Sequence, residues 1–355
     1  MTMTRAGKIK QPLALLIALA SLTLMTGCSS DTKDTNSNTA TSSHSEEKFV
    51  AEYPLTIRVG YSTGADDPRG IALDTFCETV TENTNGDILF EIHPSGELGS
   101  DSELIAGMIE KKVDMTVSSA GNYALYATKI GVSALPFLFD GFESAWAFID
   151  SEEMQALNPE LEDYNMHVLA YFDNGFRCVT TSENKGPVDN AAKMEGLNIR
   201  TPANQIVMET MSELGANPRS YPFAELKQAL KDGVFDAQEN PIPVIYNNKL
   251  YEVQKYLSVT NHSYDAMPLT IRMDIWEQLT PEYQDIINTA AKEAESMNRS
   301  LVKQQTEECV KNLEAEGMIV VYPDLGPFRR DTKGVMDMFN AVYGEELIRY
   351  VTKSK

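Results

Sequence analysis

From residue 281 to residue 316 the chain contains no glycine and, after Pro281, no proline. Ile286, Ile287, Ala290, Ala294 and Met297 recur there at helical spacing, with charged residues on the turns between them. An unbroken helix of this length reaches roughly 50 Å at 1.5 Å per residue. That is longer than one ordinary lobe, so the stretch reads as a strut crossing two. The body from Tyr53 onward is long enough to supply two lobes of usual domain size.

The segments ahead of the strut describe those lobes. Residues 55–59 alternate as a strand and run into Gly60-Tyr61-Ser62-Thr63-Gly64. Asp67-Pro68 opens a helix, with proline in the first turn where its missing N–H costs nothing. Ile71, Ala72, Phe76 and Val80 carry that helix to the stop at Asn85-Gly86. Ile88, Phe90 and Ile92 alternate as a second strand, Ser100 and Glu103 form a capping box for a helix through Ile109, and 113–117 is a third strand. This is βαβαβ. The pattern returns later, with strands at 167–172, 197–200, near 219–221 and at 234–237, and helices at 203–214 and 223–231. Two such α/β units in succession imply two lobes facing each other across a cleft.

The amino terminus speaks to location. Arg5, Lys8 and Lys10 precede an apolar run, 12–25, that is too short to span a bilayer and reads as a secretory signal. Leu24-Met25-Thr26-Gly27-Cys28 resembles a bacterial lipobox, with Met25 where an aliphatic residue is usual. The expectation is removal of 1–27, lipid on Cys28, and a flexible tether over 28–52, since 29–45 holds no large apolar residue. The protein is then exported and held in the cell envelope, in the periplasm or at the outer face of the cytoplasmic membrane. Formal charge is −22, and losing 1–27 removes three positive side chains and no negative one. So acidic a body repels phosphate backbones and excludes nucleic acid as a partner. Cys77, Cys178 and Cys309 are too scattered for a zinc site and read as buried apolar residues, or as one disulfide and a spare thiol. His44, His93, His167 and His262 form no metal-ligand set, and no cofactor motif is present.

Ligands of open α/β sheets bind beyond the carboxyl ends of the strands. In the first lobe this selects Tyr61-Ser62, the 94–101 turn and 119–122. In the second it selects 174–177, Arg200-Thr201, Phe223 and 238–240. The second group holds two arginines and an asparagine, and a planar guanidinium matches a carboxylate bidentately.

Several stretches resemble one family. Ile92-His93-Pro94-Ser95-Gly96-Glu97-Leu98-Gly99-Ser100-Asp101, Leu135-Pro136-Phe137-Leu138-Phe139, Asn174-Gly175-Phe176-Arg177 and Gly196-Leu197-Asn198-Ile199-Arg200 occur in order. Leu214-Gly215-Ala216-Asn217-Pro218, Asp236-Ala237-Gln238-Glu239-Asn240-Pro241, Tyr251-Glu252-Val253-Gln254-Lys255-Tyr256-Leu257 and Thr260-Asn261-His262 follow. The set is similar to the solute-binding proteins of TRAP (tripartite ATP-independent periplasmic) transporters of the DctP type, from about Leu55 to the carboxyl terminus. The resemblance implies an α/β, two-lobed periplasmic-binding-protein-like fold with a long interlobe helix. It implies lobe I at 53–173 plus 266–305, lobe II at 174–265 plus 306–355, and hinges near 172–175 and 262–268. It further implies Arg200 as the main carboxylate contact, Asn240 as its supporting amide, Arg177 as a second arginine and Phe223 as a packing aromatic. Ser62, Asp101 and Ser119 fall on the family's polar contacts in the first lobe. Asp101 has a second explanation, since an acid in a first helical turn is stabilised by the macrodipole alone.

The function so implied is capture of an organic acid by a monomeric, cofactor-free binding protein that delivers it to a small and a large membrane subunit. A sugar acid, uronate or aldonate, is expected over a C4-dicarboxylate. Members selective for C4-dicarboxylates resemble one another in a methionine-lysine pair where Phe176-Arg177 stand here, and Asp101 would repel a second carboxylate. A receptor of an ATP-driven transporter shares the two-lobed plan but not the ordered motifs. An exported hydrolase or lyase using Asp101 or Glu239 as base would need a nucleophile or metal that the sequence lacks.

Overall fold

A computed structural model describes residues 51–353; the expected signal, Cys28 and most of the tether lie outside them. The first unit is β1 (Leu55–Gly60), α1 (Pro68–Asn83), β2 (Ile88–His93), α2 (Asp101–Ile109) and β3 (Met115–Val117). Its caps are those the sequence calls for. The Asp67 carboxylate accepts the N–H of Arg69 at 3.1 Å, and the Ser100 N–H donates to Glu103 at 2.8 Å. Short helices α3 (Ala120–Tyr123), α4 (Phe142–Ile149), α5 (Glu152–Gln155) and α6 (Pro159–Glu162) lead to β4 (Met166–Thr181). The second unit follows as β5 (Asn198–Thr201), α7 (Gln205–Glu213), β6 (Asn217–Ser220), α8 (Phe223–Lys231), β7 (Ala237–Pro241), α9 (Ile242–Asn247) and β8 (Tyr256–Arg272). The chain ends through α10 (Met273–Trp276), α11 (Pro281–Ala315), β9 (Ile319–Val321), α12 (Leu325–Asp331), α13 (Lys333–Tyr343) and α14 (Glu346–Lys353).

Among the described residues, the nine strands belong to one sheet of order β2-β1-β3-β8-β4-β7-β5-β6, with β9 added on β8. β1, β2 and β3 are parallel, as are β5, β6 and β7, and each trio puts its first strand in the middle. Between the trios, β4 and β8 run antiparallel over their whole length. A strand of 16 residues extends roughly 50 Å, about the length of α11. These three elements therefore span both halves. The first half of α11 buries Ile287, Ala290, Ala291 and Ala294 against Val59, Phe76 and Leu269. Its second half buries Cys309 and Leu313 against Leu226, Phe235 and Leu257.

The structure corrects four expectations. The strand at 234–237 is β7, three residues later, because Val234 is exposed while 237–241 are buried between β4 and β5. Gln238 to Asn240 are thus in a strand, not beyond one. Met297 faces outward; at that level α11 presents Glu295 and Asn298, which accept the N–H groups of Tyr171 at 3.1 Å and Asp173 at 2.5 Å. The terminal helices do not all stay with the second half. Phe328 of α12 keeps to its core, but Val335 and Phe339 of α13, which also packs on α7, and Ile348 and Val351 of α14 join a core with Leu104 and Phe148. Cys77, Cys178 and Cys309 are all buried free thiols, so the disulfide alternative falls.

Candidate ligand-binding site

Strand ends of both halves converge. β1 leads into Ser62 and Thr63, β3 into Ser119, α2 begins at Asp101, α8 begins at Phe223, and β5 and β7 carry Arg200 and Asn240. There the seven residues expected from the sequence, Ser62, Asp101, Ser119, Arg177, Arg200, Phe223 and Asn240, line one narrow cavity of about 30 Å³. It adjoins a wider cavity of about 210 Å³ that shares Ser62, Asp101, Arg200, Pro202 and Phe223.

The arginines here have different surroundings. Arg177 Nε donates to Glu239, Nη1 to Asp265 at 2.6 Å, and Nη2 to Glu239 at 2.9 Å and Asn240 Oδ1 at 3.2 Å. Burial works against its charge, but Glu239 and Asp265 raise its pKa above the ordinary value. Little of its charge or donor capacity is left for a ligand. Arg200 is as deeply buried, and its Nε and Nη2 both donate to the Tyr221 carbonyl, at 2.8 and 2.6 Å. The Phe223 ring lies 5.7 Å from its guanidinium carbon. Among the described residues no carboxylate stands within 4.0 Å of Arg200. Burial lowers its pKa to about 10, so it remains charged at neutral pH. A buried charge without a counter-ion costs several kcal/mol, and an incoming anion removes that cost.

Asn240 differs from its expected role. Its amide donates to Gln238 and accepts from Arg177, and among the described residues it does not bond to Arg200. Ser119 donates to Asp265, which also accepts from Asn174 at 2.8 Å. Asp101 is the first residue of α2 and accepts from Ser118 and Asn122, each at 3.4 Å, so it has its dipole position and faces the cavity as well. Glu239, the candidate base of the enzyme reading, is fully buried. Burial would raise its pKa, yet Arg177 and His262 hold it below the ordinary carboxylate value, which leaves no free base. No group of metal-ligating side chains occurs among the described residues.

Sequence reasoning missed Arg69 and Asp265. Arg69 is buried in the first turn of α1 and lines the narrow cavity. A cation in a first turn opposes the macrodipole, and that conflict was the available signal. Asp265 lies inside β8, and nothing in its neighbourhood announces it.

Paired α/β units that meet around an unmatched buried cation make a two-lobed receptor for a small organic anion. The chain belongs to the family of bacterial extracellular solute-binding proteins, family 7, which matches residues 59–341. It is a TRAP-type binding protein and not an enzyme. The 2,3-diketo-L-gulonate-binding periplasmic protein of Escherichia coli (strain K12) is 33% identical over 75% of this chain and 80% of its own length. A TRAP periplasmic solute-binding protein from Polaromonas sp. JS666, solved with D-erythronate, superposes with a TM-score of 0.81 at 30% identity, covering 84% of this chain and 98% of that one. The sugar acid binding protein of Advenella mimigardefordensis strain DPN7T, solved with galactonate, gives 0.80 at 30% identity, over 84% and 97%.

Proposed function

We propose that this protein captures a sugar acid, an aldonate or a uronate, outside the cytoplasmic membrane and delivers it to the small and large membrane subunits of a TRAP transporter. The observation that carries the reading is Arg200, the one arginine of the cavity with no carboxylate within 4.0 Å among the described residues. One unmatched cation takes one carboxylate. A second carboxylate would meet Asp101 or Asp265, and like charges about 4 Å apart repel by roughly 4 kcal/mol at an effective dielectric near 20. Hydroxyls suit Ser62, Asp101 and Asn240 because a hydroxyl both donates and accepts, whereas the Asp101 carboxylate only accepts. Phe223 covers the ligand's apolar face, while Arg177 fixes Asn240 and Ser119 braces Asp265. The relatives solved with D-erythronate and galactonate hold acids of this kind.

The lobes of this reading are 53–173 plus 266–305 and 174–265 plus 306–355, with α13 bridging the two and α14 folded back on the first. The mature protein acts as a monomer, tethered to the envelope by lipid on Cys28. Calorimetric titration with glucuronate, galacturonate, gluconate, succinate, malate and fumarate tests the ligand class. A sugar acid binds and the dicarboxylates do not; binding of succinate or malate alone would overturn it. Cell fractionation tests the anchor: Cys28→Ser leaves the membrane fraction, and a variant that stays there through a lipid-modified amino terminus contradicts the lipid site.

A further inference from the structure

Arg69 is disfavoured twice, by the dipole of α1 and by burial, since it is 2% exposed. The protein offers it little in return. Nη1 donates to Ser62 Oγ at 3.3 Å and to the Val117 carbonyl at 3.4 Å, and Asp101 Oδ1 stands 3.9 Å from the same nitrogen. Nε is buried without an acceptor, and Nη2 donates to no group among the described residues. Two neighbours of the site share this condition. Thr63 Oγ1, in the narrow cavity, and Asn122 Oδ1, at the wider one, are buried and unpartnered. Buried polar groups are ordinarily satisfied, so three such atoms around two adjoining cavities mark a place where a bound molecule completes the hydrogen bonding.

We propose that Arg69 contacts the ligand and determines its class, binding hydroxyl or carbonyl oxygens from the first lobe while Arg200 holds the carboxylate from the second. This rests on the sugar-acid reading and extends it. Arg69 and Asp101 present a donor and an acceptor side by side. A hydroxyl accepts from one and donates to the other, whereas a carboxylate can only accept and must face Asp101. The pair therefore selects a polyhydroxylated, uncharged end.

The test uses the mature protein carrying Cys28→Ser, with Arg69→Gln and Arg69→Lys, titrated by calorimetry with the acid panel above. Arg69→Gln loses a charged hydrogen bond and binds hydroxylated acids roughly tenfold or more weakly, with its order of preference among them changed and the dicarboxylates still repelled by Asp101. Arg69→Lys, which keeps the charge without the fork, loses part of the affinity and serves alone if the glutamine variant does not fold. Wild-type affinity and wild-type order of preference in the folded variants would overturn the proposal and leave Arg69 as a brace for Ser62 and Val117. The two readings fail separately. A wild-type protein that binds only dicarboxylates sinks the sugar-acid reading, and Arg69 fails as a ligand contact when its variants bind the wild-type's preferred acid unchanged.

Discussion

Arg177 and Arg200 are each 4% exposed, and only Arg177 has carboxylates in hydrogen-bonding reach. The difference separates their roles. Removing Arg177 strands Glu239 and Asp265 in the interior, so Arg177→Met should lose about 3–5 kcal/mol in urea unfolding. Arg200→Met removes a charge that had no counter-ion, so its unfolding free energy should hold or rise while ligand binding is lost. Equal destabilisation by both would contradict this division. The sequence displayed both arginines, because strand-end rule and motif agree on their positions. It could not show that Arg177 is already neutralised, since Asp265 lies 88 residues away in sequence. A charge pair across that separation leaves no local trace.

At the scale of elements, the central pair β4 and β8 was harder to read than the parallel trios. Asp173-Asn174-Gly175 has turn composition, and by sequence alone the strand from 167 stops at 172. The ladder instead continues past a register shift between Asp173 and Gly175, where Gly175 has φ +103°. The break read from the sequence is a bulge, at one of the expected hinges. The neighbouring Asp173 is fully buried and accepts from Trp146 Nε1 at 2.7 Å. Burial raises its pKa from 3.8 to about 7, against the pull of Trp146 and Arg299. The folded state thus binds this proton more tightly than the unfolded state. Stability from this group is greatest near and below pH 4 and falls as pH rises towards 7. Asp173→Asn cannot ionise, so its stability relative to wild type should increase between pH 5 and pH 8. A difference that stays constant across that range, in paired unfolding titrations, would contradict the assignment.

For the whole molecule, two α/β halves and a strut were legible because hydrophobic period and helix length are local properties. The place of α13 and α14 was not, since an apolar face read from sequence does not name its partner: α13 packs on α7 and joins the first half's core, and α14 packs on α4. The halves approach closely beside the cavity. A Cβ on Gly121, in α3, would stand 1.8 Å from Nδ2 of Asn204, which caps α7. Gly121→Ala should hold the halves apart and weaken binding without unfolding either one. The central claim, closure of two lobes on an acid held by Arg200, is tested most directly by small-angle scattering with and without saturating ligand. The wild-type radius of gyration should fall on binding, while Gly121→Ala closes incompletely and Arg200→Ala does not respond. A wild-type profile unchanged by a ligand that calorimetry shows to be bound, or equal closure of Arg200→Ala, would contradict it.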